Sequence, residues 1–323
     1  MITKTKSSIL AISVIFILSI VMSACGNDDD SDKSTDESNS ESDGNTEITL
    51  DSKMGEVTIP GDIENVIAPY HEDALLALGI TPVTKWSIGE SIQNYLEADL
   101  KDVPKIEWNL PQEQVLEQNP DLIILESNLD SYDGSYEDYQ KIAPTYVMTE
   151  EVSNDWRKQI ETFGKLLGKE AKADEVLKQY DQKVSDAKEK LNEAIGDETV
   201  ALIWTMGDQF YLFEHDRHIA EVVYSQLEIN QPALVENLGN ADAAQWNPIS
   251  VEKLSELQAD HVFLLAEEGE QGIDTLKNSS VWQSTPAAQN NQVYVMNDPS
   301  HWTNKGLIAS EKTIDAVVDT LTK

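Results

Sequence analysis

Side chains able to do chemistry are sparse in this chain, and their spacing suits holding a ligand better than breaking a bond. The one thiol, Cys25, closes the run Met22-Ser23-Ala24-Cys25. A lone cysteine directly behind small residues and an apolar stretch is placed for acylation after cleavage, and without a second cysteine it can form no intramolecular disulfide. His215 and His218 stand at i, i+3 with Asp216 beside them, a spacing that could seed a Zn or Mn site. The chain has five histidines, and His71, His261 and His301 sit in differing contexts. Residues 47–323 contain no G-x-S-x-G elbow, H-E-x-x-H pair, P-loop or G-x-G-x-x-G turn. Ser300-His301 is an adjacency without a partner acid. Enzymatic chemistry is disfavoured on these grounds.

Elements that would position these groups begin with the leader. Residues 9–21 are apolar and follow Lys4 and Lys6. A basic start, a short apolar segment and small residues before the cleavage point make an export signal over residues 1–24. The segment is too short for a comfortable membrane span. With Cys25 as the new N-terminus, the chain is expected to be held to the outer face of a cell membrane by lipid chains; an ordinary signal with an incidental cysteine is the alternative. Residues 27–45 are almost wholly Asp, Glu, Ser, Asn and Gly. Such a segment has nothing apolar to bury and repels itself, so residues 25–46 are expected to form an extended, disordered tether.

The chain has 323 residues, 40% of them hydrophobic, and a net charge of -36. Beyond the tether there is enough sequence for two modest cores. So acidic a chain argues against nucleic acid or anionic headgroups as partners. Arg157 and Arg217 are its only arginines, so an anion site would have to be built from a few local cations.

The body reads as α/β. Apolar runs rich in β-branched residues recur at residues 65–69, 121–125, 199–204, 261–265 and 292–296, the pattern of strands buried on both faces. Helical patterns lie between them, at residues 72–78 before Gly79, 112–118, 156–167 before Gly168, and 250–257 with Ser250 as N-cap. One unit echoes. Glu113, Val115, Pro120 and Asp121 precede one apolar run, and Glu252, Leu254, Ala259 and Asp260 precede another at the same offsets. Two similar α/β lobes are the economical reading. Between them, residues 170–194 lack Gly and Pro and carry Ala173, Val176, Leu177, Tyr180, Val184, Ala187 and Leu191 as one apolar stripe. A helix of that length is expected to join the lobes stiffly. The division is then residues 47–169, an inter-lobe helix over 170–195, and residues 196–323.

Leader, tether, lobe, long helix and second lobe together resemble the bacterial ABC-transporter substrate-binding lipoproteins that capture iron-siderophore complexes. Local runs carry the resemblance: Leu75-Leu-Ala-Leu-Gly-Ile-Thr-Pro-Val83, Asn119-Pro-Asp-Leu-Ile-Ile124, Trp156-Arg157 with Leu166-Leu-Gly-Lys169, Glu221-Val-Val-Tyr224, Ser250-Val-Glu-Lys-Leu254, and residues 302–318. The ferric hydroxamate, catecholate and vitamin B12 binders are all similar to it, so ligand identity does not follow. The resemblance implies two Rossmann-like lobes joined by a single long α-helix, with the ligand held between loops at the strand ends.

Those loops carry aromatics and cations together. In the first lobe the ligand-binding candidates are Tyr70, Lys85, Trp86 and Trp108; in the second they are Tyr211, Arg217, His218, Trp246, Trp302 and Lys305. A ferric siderophore already satisfies its metal with its own oxygens, so the protein supplies flat apolar walls and a few donors rather than metal ligands. Trp282, in an apolar helix start, is assigned to the core. The resemblance further implies one surface acid on each lobe that meets arginines of a permease: Asp73, with Glu72 as substitute, and Glu221. The expected protein is a monomer without a cofactor that delivers a ferric siderophore to an ABC importer. The cations Lys85, Arg217 and Lys305 suggest a neutral or mildly anionic complex of hydroxamate or citrate-hydroxamate type. A binder of bare Zn or Mn, or of another chelate such as vitamin B12 or haem, is the rival.

Overall fold

A computed structural model describes residues 47–242 and 245–323. The export signal, Cys25 and the tether of residues 25–46 lie outside the described residues. The body opens with a hairpin of β1 (Ile48–Ser52) and β2 (Gly55–Ile59), whose Val57 and Ile59 enter the core. There follow β3 (Val66–Ile67), α1 (Glu72–Ala77), β4 (Lys85–Ser87), α2 (Glu97–Leu100), β5 (Lys105–Glu107), α3 (Gln112–Glu117) and β6 (Leu122–Leu125). Then α4 (Tyr136–Gln140), β7 (Thr145–Val147), α5 (Glu150–Ser153) and α6 (Trp156–Leu166) complete the first half. Strands β3, β6 and β7 make a parallel sheet in the order β3-β6-β7, and β4 pairs with β5. All four residues of β6 are buried, which is why its run is apolar without alternation.

The long helix α7 (Glu170–Ile195) has 26 residues, about 39 Å at the usual rise per residue. It ends at Gly196, whose φ of 53° suits glycine. Beyond it come β8 (Val200–Met206), β9 (Gln209–Leu212), a π-helical turn at Val222–Gln226, α8 (Ala233–Glu236), α9 (Val251–Leu254) and β10 (His261–Leu265). The chain finishes with α10 (Gln271–Asn278), α11 (Pro286–Gln289), β11 (Val293–Met296) and α12 (Leu307–Leu321). The second sheet runs β11-β10-β8-β9, parallel except for the β8–β9 hairpin. The architecture is two α/β halves with Rossmann-like parallel sheets, joined by one long helix.

The repeated Asp has one structural job in both halves. Asp121, ahead of β6, accepts the Asn65 N–H at 2.8 Å; Asp260, ahead of β10, accepts the Thr199 N–H at 2.8 Å. Each carboxylate thus ties the start of its own strand to the start of the neighbour, β3 or β8, and sets the register of a parallel pair. Long helix α7 is a shared wall more than a rod. Both α6 and α12 pack on it, and one apolar layer runs from Leu75 and Phe163 through Tyr180 and Leu191 to Leu202 and Ile314. Each sheet keeps a second core on its other face, around Leu125 and Tyr139 in the first half and around Ile203 and Trp282 in the second.

The halves also meet at Asp73. Expected as a surface acid, it is only 2% exposed. Its carboxylate accepts the Ile308 and Ala309 N–H groups of α12, each at 3.0 Å, and the Tyr95 hydroxyl at 3.1 Å. Spacing from Gly79 placed Asp73 on α1 but could not say which side of α1 faces water. Glu72, the substitute, is buried too; one oxygen accepts the Trp86 N–H at 2.6 Å and the other has no partner among the described residues. Burial first raises both acids, Asp73 to about 6 and Glu72 to about 7, against the hydrogen bonds that lower them. Gly306 touches the same spot. A Cβ there would fall 2.4 Å from the Asp73 carboxyl carbon, so the joint demands glycine for lack of space.

Two outcomes are expected. Gly306→Ala should lower unfolding stability by roughly 2–4 kcal/mol, and by far less when Asp73→Ala is already present; additive effects in urea unfolding would contradict the joint. Because the folded-state value of Glu72 lies above its unfolded one, its contribution is present at low pH and is lost as pH rises from about 4.5 through about 7. The stability difference between pH 4.5 and 8 should therefore change by about 2–3 kcal/mol in Glu72→Gln. Parallel pH profiles for variant and parent would contradict it.

Candidate functional site

Two neighbouring cavities open where strands of both halves end. The larger, of about 520 Å³, is walled by Tyr70 and Trp86 beyond β3 and in β4, by Gln93, by Trp204 of β8, and by Glu267 and Asn304 of the second half. The smaller, of about 170 Å³, is lined by Tyr70, His71, Glu126, Trp156, His218 and Lys305. Tyr70 belongs to both. The carboxyl ends of parallel strands are where open α/β sheets bind ligands, because side chains there are carried on loops yet aimed by the sheet. Gln93 donates to the Asn304 side-chain oxygen at 3.2 Å and so spans the halves. Grooves of about 370 Å³ beside the end of α7 and between α7 and α12 have no aromatic wall.

Tyr70 and Trp86 meet edge to face at 5.4 Å. Tyr70 has a φ of 72° and His218 one of 45°, left-handed conformations that side-chain-bearing residues seldom adopt. His71 is buried behind Tyr70 and is held at both ring nitrogens. Its Nε2 faces Glu126 Oε1 at 2.6 Å and its Nδ1 faces Gln159 Oε1 at 3.2 Å. The Gln159 amide donates its own N–H to the Ser153 carbonyl, which fixes its oxygen toward His71. An acceptor oxygen at each nitrogen favours the protonated ring. Burial opposes that charge, but the bond and charge of Glu126 outweigh it and hold His71 above the ordinary histidine value. His218 goes the other way. Burial first, then Lys305 and Arg217, press it down to about 4, so it is a neutral ring stacked on Trp246 at 5.5 Å.

Of the residues expected at the ligand, Tyr70, Trp86, His218 and Lys305 line these cavities. Others do not. Lys85 is buried and donates to Glu97 and to the Leu100 carbonyl, each at 2.8 Å, which pins α2 onto β4. Arg217 is 2% exposed; it is bound to Glu214, to the carbonyls of Asp242 and Gln245 at 2.9 Å, and over the Trp246 ring at 4.5 Å. It shapes the loop behind His218 instead of reaching the cleft. Trp302 is wholly buried against Phe263 and His301, and its indole N–H has no partner among the described residues. The polar loop around it suggested exposure, yet the ring turns inward. Tyr211 and Trp246 form an aromatic cluster with Trp204 and Phe213 behind the larger cavity. Trp108 stands exposed, outside the lining of either cavity.

Glu221 is exposed on the second half. The histidine pair His215 and His218 does not assemble a metal site. His215 lies 3.8 Å from Asp216, and no group of three or more His, Cys, Asp or Glu is gathered for a metal among the described residues. Sequence reasoning missed Trp204, Gln93, Asn304, Glu126 and Glu267. Trp204 carried a signal, since it ends an apolar strand run at the ligand-facing edge; the polar residues carried none.

The chain matches the periplasmic binding protein family over residues 72–299. It is similar to the iron(3+)-hydroxamate-binding protein FhuD of Bacillus subtilis, 29% identical over 314 residues that cover 95% of each chain. It is likewise similar to the iron(3+)-hydroxamate-binding protein YxeB of that organism, 26% identical with 98% of each chain covered. Among solved structures, a FhuD fold-family component of a Fep/Fec-like ferrichrome ABC transporter from Bacillus subtilis superposes with a TM-score of 0.68 at 26% identity, covering 85% of this chain and 100% of that one. With parallel sheets, a connecting helix and a cleft at the strand ends, this chain belongs to the periplasmic binding protein family.

Proposed function

We propose that the cleft captures a ferric siderophore outside the membrane and presents it to the permease of an ABC importer, with no chemical step on the ligand. The observation that carries this reading is the wall of the larger cavity: three aromatic rings, from Tyr70, Trp86 and Trp204, interspersed with amide and hydroxyl side chains and the carboxylates of Glu90 and Glu267, with no group of metal ligands gathered among the described residues. Such a wall suits a bulky organic shell whose metal is already coordinated. The names of the hydroxamate-binding relatives support a hydroxamate. Cys25 would carry the lipid anchor, and the body would divide into residues 47–169 and 196–323 about the helix of 170–195. Glu221 is the acid offered to the permease; Asp73, buried in the joint, is withdrawn from that role.

Titration of the protein with ferric trihydroxamate, tris-catecholate and citrate complexes, read by tryptophan fluorescence, tests the proposal. A saturable quench by the trihydroxamate is expected, with affinity falling about tenfold or more in Trp86→Ala. Preference for the catecholate would overturn the hydroxamate assignment. Indifference to all three, with tight uptake of bare Zn or Mn, would overturn the proposal as a whole.

A further inference from the structure

The charges along the cleft say what charge its cargo carries, an inference that rests on the siderophore reading above. The cations near the strand ends are nearly all engaged. Lys85 is paired with Glu97 at 2.8 Å, Lys105 with Glu90 at 2.6 Å, and Arg217 with Glu214. His71 is likewise engaged, facing Glu126 at 2.6 Å. Two charged side chains on the cavity walls remain outside any ion pair among the described residues, Lys305 in the smaller cavity and Glu267 in the larger. No Lys, Arg or His lines the larger cavity, where Glu90 and Glu267 are its charged members and Lys105 already neutralises Glu90.

The geometry points to a cleft that takes a neutral or cationic ferric complex, with the Glu267 carboxylate as the residue that discriminates against anionic ones. Three hydroxamates, each of one negative charge, leave the ferric complex neutral; three catecholates, each of two, leave it at three negative charges. The neutral complex can lie against Tyr70, Trp86 and Trp204 without meeting an uncompensated like charge. A pendant ammonium on such a complex would find Glu267, while the partly negative oxygens around the iron suit Lys305 and the donors of the smaller cavity. An anionic complex would face Glu267 with no cation on the same wall to answer it. The net charge of -36 adds repulsion of the same sign over longer range. Lys85 and Arg217, which in the sequence suggested tolerance of a mild anion, are turned away into the fold.

The test uses one linear ferric trihydroxamate in three forms that share the same iron shell: a terminal ammonium, its N-acetyl derivative and its N-succinyl derivative. Affinities come from tryptophan quenching at low and at high salt. The ammonium form is expected to bind roughly tenfold tighter than the succinyl form at low salt, with the acetyl form between them and the gap narrowing as salt rises. Glu267→Gln should reduce the ammonium-to-succinyl ratio severalfold; both affinities are read on one sample, so partial unfolding cancels from the ratio. Equal affinities for the three forms, tightest binding of the succinyl form, or an unchanged ratio in Glu267→Gln would overturn the inference while leaving the siderophore reading in place. Binding of none of the three would overturn the inference together with the hydroxamate assignment, and the siderophore reading would fall with them only if the catecholate and citrate complexes were ignored as well.

Discussion

A carboxylate held between two helices sets the geometry on which the cleft depends. Asp73 belongs to α1 in the first half, and the amides it accepts open α12 in the second. A negative charge at the head of a helix meets unsatisfied N–H groups and the positive end of the helix dipole, so the contact is favourable although burial works against the charge. The segment just ahead of those amides supplies Pro299, Thr303 and Asn304 to the larger cavity and Lys305 to the smaller. Fixing Ile308 and Ala309 therefore fixes one wall of the site. Gly306 leaves room for the Asp73 carboxylate at the head of α12, and the Gln93–Asn304 bond makes a second tie nearby.

Around this joint the protein tolerates local strain where the ligand would sit. Tyr70 and His218, both left-handed and both lining the smaller cavity, each cost about 1–2 kcal/mol relative to an ordinary conformation. Rings hold them there: Trp86 and His71 against Tyr70, Trp246 against His218. The same surroundings explain the scarcity of free positive charge. With 59 acidic residues against 23 lysines and arginines, most cations near the cleft, Lys305 excepted, find a carboxylate of the protein within reach. Lys85, Lys105 and Arg217 all do so, and what they stabilise is the shape of the loops rather than the charge of a ligand.

Much of the architecture was legible in the chain. Continuous apolar runs became the buried strands β6, β8 and β10, because a strand covered on both faces has no position where a polar residue is free of cost. The stripe from Ala173 to Leu191 became α7, and Ser250 caps α9 by accepting the Lys253 N–H. The echoed Asp121 and Asp260 bear the same hydrogen bond in both halves, so the repeat was a signal of structure and not of composition alone. These features rest on local periodicity and on bonds between neighbouring strands, which short stretches of sequence encode.

The direction in which a side chain points is a different kind of information. Asp73, Lys85, Arg217 and Trp302 were placed near the right loops, yet each turns inward, because a partner that holds it (the Ile308 N–H, the Leu100 carbonyl, the Gln245 carbonyl or Phe263) comes from another part of the chain. Trp204 shows the reverse: a residue that reads as the end of a core strand reaches the cleft wall. Sequence by itself determined the apolar-run strands β3, β6, β8, β10 and β11, the helices α1, α3, α6, α7 and α9, and their order, since those follow from propensity and burial along the chain. Only the tertiary structure decided which of the loop residues face the ligand and which charges are already neutralised, since both depend on packing between segments far apart in sequence.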